Sequence, residues 1–292
     1  MNKIASQSML VLMTGAMITL YLITLGTTDQ ETWLGVAAIV IIVTSVALER
    51  IWPFRSGWNE SKADLPGDIT FFVVVFAILD PILKWLTPFV LIAMVGQISG
   101  PLNGMPLWAE VVAVTLIIEL FAWLSHYLHH NVRWLWPFHA VHHSPERVYT
   151  VNNFRFHPVN HIINHLFIVL PLLLIGFSAE AILAYTAASL PILLMQHSNA
   201  DFDFGRWNAI MNTNQVHRWH HSCVSSEGNR NYGRALLLFD LLFGTYYNPT
   251  EQDAPEAVGL YPSSRKFPKA ENFWKQLWYP FTAWGCPHCC SQ

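Results

Sequence analysis

Three short histidine-rich runs carry the chemistry open to this sequence: "HYLHH" at 126 to 130, "HAVHH" at 139 to 143 and "HRWHH" at 217 to 221. On a helix, residues three and four apart share a face. His126 and His130 therefore project together, His139, His142 and His143 form one tripod, and His217, His220 and His221 form another. Neutral imidazole is the commonest protein ligand for transition metals and suits iron, zinc, copper and nickel. A lone histidine beside apolar sequence is ordinarily a satisfied polar residue or an interface anchor. Here the HxxHH spacing recurs and HxxxH accompanies it. Eight clustered imidazoles exceed the four ligands of one zinc ion, so two metals are expected.

Further residues extend the set. His157 in "FRFHP" and His197 in "QHSN" stand at the two ends of a later apolar region and are expected as completing ligands. His161, one turn beyond His157, is a substitute for it that points deeper into the apolar segment. His129 lies off the face shared by His126 and His130 and is expected behind the ligands. Glu119, seven residues before His126 on the same helical face, is expected to accept the second ring N–H of a ligand histidine and so fix its tautomer. An unrelated interhelical hydrogen bond is the plainer alternative for that carboxylate.

The elements that position these residues are membrane helices. The chain has 292 residues, 53% hydrophobic and only 12% charged, against about 25% charged for an ordinary soluble domain. A net charge of −3 gives no reason to expect nucleic acid or another polyanion as partner. Apolar regions at 9 to 26, 33 to 48, 69 to 95 and 107 to 128 meet the length of about 20 residues that a spanning helix needs. A fifth region, 162 to 196, contains Pro171, Gly176 and Pro191 and predicts two short helices that enter and return. The first segment lacks a signal-peptide cleavage pattern and is expected to be retained.

Lys3, Arg50, Arg55, Lys62, Arg133, Arg147 and Arg155 fall on the side of the helices that carries the histidines, while the intervening turns at 27 to 31 and 99 to 106 carry no basic residue. By the positive-inside rule, both termini and the histidine segments face the cytoplasm. The expected fold class is all-α: a polytopic transmembrane helical bundle of about four spanning helices plus a re-entrant helical hairpin, with a cytoplasmic histidine-rich cap. It forms a single membrane-embedded domain, with transmembrane helices in 1–128, the cap in 129–250 and an interfacial C-terminal tail in 251–292. Asp80 and Lys84, four apart in the third apolar segment, are expected to neutralise one another, and they give thin support to metal transport as a function. The tail "CPHCC" resembles a redox dithiol, but no βαβ pattern surrounds it.

The stretches "ELFAWLSHYLHHNVRWLWPFHAVHHSPE", "FRFHP", "QHSN" and "HRWHHSCVSSEGNRNYGRALLLFDLLFGT" resemble the sterol desaturase and fatty acid hydroxylase superfamily of integral membrane di-iron enzymes. The likeness covers residues 115 to 247 closely and "ERIWPFR" with the first helices more loosely. It implies that His126, His130, His139, His142, His143, His157, His197, His217, His220 and His221 fall on metal-binding positions. Asn231 and Asp240 fall on the family's NYG and FGT positions, where the resemblance implies support for the site. Tyr127 stands where the family often has arginine, and Asn160 and His161 stand where an acidic residue is common.

An all-histidine site also suits zinc, but hydrolytic zinc sites ordinarily use three protein ligands, an open position and a carboxylate base. Iron agrees with the resemblance, because reductive activation of O2 yields an oxidant able to break an unactivated C–H bond. The expected function is a lipid hydroxylase, with desaturation or ether-lipid cleavage on the same centre as near alternatives and a non-catalytic metal-binding membrane protein as the rival from another class. No G-x-G-x-x-G fingerprint or C-x-x-C-H haem site is present, so electrons are expected from a separate electron-transfer protein. Arg133, Arg147 and Arg218 are candidates for docking an acidic carrier, with solvated charge as the ordinary explanation. The short loops suggest a bacterial inner membrane.

Overall fold

A computed structural model of the chain describes residues 3–95, 105–264 and 266–282, so the "CPHCC" tail lies outside the described residues. The helices run α1 Lys3–Thr24, α2 Gln30–Ile51, α3 Leu65–Phe72, α4 Asp80–Val95, α5 Leu107–Asn131, α6 Trp136–His143, α7 Pro158–Ile175, α8 Ala179–Met195, α9 Asn214–His220, α10 Ser225–Gly228, α11 Leu238–Phe243 and α12 Phe273–Thr282. A π-helical stretch, Val73–Leu79, joins α3 to α4 without a break. The polytopic all-helical bundle is as the sequence leads one to expect.

Among the described residues, five stretches are long and apolar enough to cross a membrane: Lys3–Thr24, Gln30–Ile51, Leu65–Val90, Leu107–Asn131 and Pro158–Ile175. The fifth, with α8 after it, forms the helical hairpin expected at 162 to 196, its first helix starting four residues earlier. α7 has 18 residues and α8 has 17, with Pro171 and Pro191 inside them. Prolines in apolar helices need not end them where neighbouring helices compensate the lost hydrogen bond. Gly176, at φ +79°, closes α7 in the left-handed conformation that glycine adopts without a Cβ penalty. Ser178 then caps α8 by accepting the Ala181 N–H.

The turn of this hairpin reaches the far end of the bundle. The Ser178 backbone N–H and hydroxyl both donate to Glu110, in the first turn of α5. The Tyr21 hydroxyl, near the end of α1, donates to the Glu180 carbonyl at 3.1 Å. α8 packs against α1, α2 and α5, and α5 packs against α7. The core between them is Leu10, Met17, Tyr21, Leu34, Ile41, Ala187 and Ile192, among others. Outward faces carry Val11, Leu12, Ile39, Val40, Val43 and Leu116, all exposed, as a lipid-facing surface requires. The opposite end of the bundle holds every histidine run.

That end is held by buried charge. Arg147 grips Asp64 through two guanidinium nitrogens at 2.7 and 2.6 Å, and both side chains are about 2% exposed. Arg155 pairs with Asp68, which also accepts the Tyr149 hydroxyl, and both charged side chains are fully buried. α3 is thereby clamped into the cap, where Phe71 packs with Trp136 and Tyr261. The third apolar segment therefore enters the protein before it meets lipid. At the end of α2, the buried Glu49 accepts the Thr150 hydroxyl at 2.8 Å and the backbone N–H groups of Thr150 and Asn199 at 3.0 and 3.2 Å. Breaking such a pair by removing one partner costs about 3–5 kcal/mol, because a buried charge is left alone.

Candidate metal centre

Four elements bring the histidines together. α5 ends on His126 and His130, and α6 follows almost at once, with Pro137 in its first turn. A hydrophilic segment after α8 supplies His197, and α9 supplies His217 and His220 with His221 as its C-cap. Two groups result. His126, His130, His139, His143 and His220 form one, and His142, His197, His217 and His221 form the other; within each, one nitrogen per ring lies within 4.8 Å of the rest. The groups share a wall: the His143 and His221 rings are 4.4 Å apart and stacked, and His220 stacks on His217 at 5.1 Å.

The outer ring nitrogens fix which way the lone pairs point. His126 Nδ1 donates to the Tyr232 carbonyl at 2.9 Å, His142 Nδ1 to the Arg155 carbonyl at 3.2 Å and His220 Nδ1 to the Arg230 carbonyl at 2.8 Å. A carbonyl only accepts, so each Nδ1 carries the hydrogen and each Nε2 is left as an acceptor. His139 is set by a longer chain. His129 Nδ1 donates to the Ser125 carbonyl at 2.8 Å, its Nε2 accepts from the Asn160 amide nitrogen at 2.9 Å, and the Asn160 oxygen accepts from His139 Nδ1 at 2.9 Å. Similarly, the Asn152 oxygen accepts both the Tyr149 backbone N–H and His197 Nδ1, while its nitrogen donates to the Arg147 carbonyl at 2.7 Å.

The consequence is a collision of acceptors. His126 Nε2 lies 3.0 Å from His139 Nε2 with both hydrogens placed on the far nitrogens. In the second group His197 Nε2 lies 3.0 Å from His217 Nε2, but His217 Nδ1 faces the Asn212 amide nitrogen at 3.5 Å, so His217 Nε2 carries the hydrogen and donates to His197. His130 Nε2 and His220 Nε2 are buried without a hydrogen-bond partner. The facing lone pairs of His126 and His139 repel unless a cation lies among them, and with the unpartnered Nε2 atoms of His130 and His220 they make the donor set fit bound transition metal. Burial in low dielectric disfavours the imidazolium form. Together with neighbouring imidazoles, it holds His139, His143, His197, His217, His220 and His221 well below the ordinary histidine value, and it brings His142 down to about 3. Neutral ring nitrogens, the form that binds metal, are thus kept ready at physiological pH.

His157 is not brought into either group. Its Nδ1 accepts the Val159 N–H as the N-cap of α7, and its Nε2 lies 2.9 Å from the Leu277 carbonyl. Both nitrogens are occupied in holding α7 and α12, and Phe138 and Phe281 flank the ring. His161 is directed away as well, to Asp80. Glu119 accepts the Tyr185 hydroxyl at 2.7 Å and the N–H groups of Ala235 and Leu236, so its partner is the loop before α11 and not a histidine. Asp240 accepts the N–H groups of Tyr232 and Gly233 at 2.8 and 2.7 Å, which sets the carbonyl that orients His126. Asn231, at φ +56°, bonds Tyr247 through both its amide atoms. Arg147 and Arg218 are buried and cannot dock a carrier. Arg218 spends its charge over Phe54, 3.9 Å from the ring, and on the Ala200 carbonyl.

Sequence reasoning missed Asn152 and Asn229 altogether, and it named Asn160 without seeing which rings it serves. Their only local signal is polarity beside a histidine motif, as in "VNNFRFHPVN".

Residues 111–245 match the family model for fatty acid hydroxylase. An ornithine lipid hydroxylase, OlsE of Rhizobium tropici, is 29% identical over 260 residues, spanning 87% of this chain and 77% of that protein. No solved structure matches the chain at a significant level.

Replacing Asn160 by leucine strips His139 Nδ1 and His129 Nε2 of their partners. Affinity for a transition metal, titrated on the full chain in detergent, is expected to fall by roughly 10- to 100-fold, as for other residues behind metal ligands; unchanged affinity would remove Asn160 from the site. Metal-stripped protein should also lose stability as pH falls. The folded-state histidine values lie below the unfolded value of 6.5, down to about 3 for His142 and about 4 for His157, so the unfolded chain binds more protons from about pH 6.5 downward. Melting temperature measured from about pH 8 to about pH 5 should drop below the upper value; a flat profile would contradict buried neutral imidazoles.

Proposed function

The chain belongs to the fatty acid hydroxylase and sterol desaturase superfamily, and from that premise we propose that it is a membrane di-iron oxygenase inserting oxygen into a C–H bond of a lipid, with O2 as oxidant and a separate protein as electron donor. The observation that carries the proposal is the pair of adjoining histidine groups, five rings and four, with their ring nitrogens turned inward. Five donors in one group exceed the tetrahedral set that structural zinc ordinarily takes. In the proposed centre, His126, His130, His139, His143 and His220 hold one iron, and His142, His197, His217 and His221 hold the other. Bound iron would supply reductive O2 activation and an oxidant strong enough for an unactivated C–H bond.

The protein's own contribution is orientation and dryness. The carbonyls of Tyr232, Arg155 and Arg230 keep three rings in the metal-binding tautomer. Trp136, 2% exposed, covers His130 and His143 at ring distances of 5.1 and 5.5 Å, and such shielding keeps water from a reactive oxidant. Hydroxylation is preferred to desaturation or ether cleavage because the matching family and the bacterial relative are hydroxylases by name. An ornithine-containing or similar amino-acid lipid is a reasonable substrate class on that ground. The histidine end of the bundle carries Arg50, Arg55, Lys62 and Arg133, which supports a cytoplasmic face in a bacterial inner membrane.

Expression of the chain in a bacterium lacking it, followed by mass spectrometry of extracted lipids, tests the reading. The expected result is a lipid class heavier by one oxygen atom that disappears with His217→Ala. Loss of two hydrogens without added oxygen would make it a desaturase, and unchanged lipids at full expression would contradict catalysis.

A further inference from the structure

A second polar cluster stands on the outside of the bundle, apart from the histidine groups. Asp80, at the start of α4, accepts the Lys84 ammonium at 2.7 Å and lies 3.0 Å from His161 Nε2. The partner on α7 sets its level: the His161 N–H bonds the His157 carbonyl, in the first turn of that helix. The cluster is therefore about one turn inside the histidine end, at the depth where lipid headgroups give way to chains. Lys84 is 71% exposed, and its neighbours Ile82, Trp85 and Phe89 are exposed beside it. Asp80 compensates the ammonium from the protein side only, and a charged group on a lipid-facing surface is costly. Asp80 is mostly covered and shared between two partners, so the outward side of the ammonium is open to an anion.

A row of phenyl rings runs from this cluster toward the candidate centre. Phe76 lies 5.1 Å from the His161 ring, and 5.4 and 6.1 Å from Phe154 and Phe156. Phe156 in turn stacks on His142 at 4.5 Å and 13°. The three phenylalanines are half-buried, while His142 is 4% exposed, so the row begins at the open flank and ends on a histidine of the second group. Phe76 belongs to the π-helical stretch, a local geometry that is frequent at functional sites.

We propose that Lys84, held by Asp80 and with His161 beside it, receives the anionic group of the lipid substrate, a carboxylate or a phosphate, and that the phenyl row leads the adjoining chain to His142. The proposal rests on the lipid-oxygenase reading and adds the polar group by which the substrate is chosen. It places the attacked carbon on the chain, separated from the anion by the length of the phenyl row.

The test uses the full, metal-loaded chain in nanodiscs of a neutral lipid, presented with lipids of identical chains bearing a carboxylate, a phosphate or an uncharged head. The wild type should favour one anionic head over the neutral one in kcat/KM, and which anion it favours distinguishes the two sources. Lys84→Gln should lower that preference roughly tenfold, the loss expected for one hydrogen bond to a charged group, mainly through KM, while Lys84→Arg should retain it. Native mass spectrometry should show anionic lipid lost from Lys84→Gln at unchanged metal content. A preference unaltered by Lys84→Gln, or equal lipid retention by both proteins, would overturn the proposal. If no lipid gains oxygen even with wild type, the oxygenase reading fails instead, and the retention measurement still decides the headgroup site.

Discussion

The structure is organised around ring nitrogens turned inward on one another, His126 and His139 with no hydrogen between them. Nine imidazoles converge in two buried groups, and rings with their hydrogens on the outer nitrogens would turn aside if nothing held them. They are held by what lies behind them: backbone carbonyls of Tyr232, Arg155 and Arg230, and side-chain oxygens of Asn152 and Asn160. Each of these acceptors is itself anchored. Asp240 holds the Tyr232 turn, the Asp68–Arg155 pair holds the carbonyl facing His142, and Asp64 with Arg147 reaches Asn152. Buried ion pairs often stabilise no more than apolar residues of the same shape. Their use here makes sense as positioning, since a misdirected ring would be lost as a ligand.

The membrane explains why this assembly sits at one end of a bundle. Long apolar helices bury their polar backbone and present side chains to lipid, but they cannot themselves enclose so many polar groups at mid-bilayer without cost. Placing the histidines where α5 ends and where the α7 and α8 hairpin opens leaves the core apolar and the centre dry. On the proposed reading, a lipid chain would approach such a centre from the side and an electron donor from the aqueous face.

Much of this was legible in the sequence because helical spacing fixes which histidines share a face. The two HxxHH tripods split between the groups in a way that spacing alone does not tell: His139 and His143 turn to one group and His142 to the other. His157 read as a ligand because it stands where the apolar region begins, yet a histidine followed by proline at a helix start is also a good N-cap, and that role took both its nitrogens. Glu119 lies on the expected face, but a carboxylate pairs with whatever donors the tertiary fold brings, here Tyr185 and the loop at 235 and 236. Arg147 and Arg218 looked like solvated charge and are buried, since pairing with Asp64 or stacking on Phe54 depends on segments far away in the chain. The asparagines behind the ligands carry no spacing signal, because each comes from a different segment: Asn152 from the turn before α7, Asn160 from α7 itself and Asn229 from the end of α10.

The central claim is that the paired histidine groups hold two irons close enough to act together. Mössbauer spectroscopy on the full chain, enriched in the absorbing iron isotope and purified from membranes with its metal content determined, addresses it most directly. A spin-coupled pair of irons per chain is the predicted result; a single isolated iron, or redox-inert zinc filling both groups in protein from its native host, would contradict it.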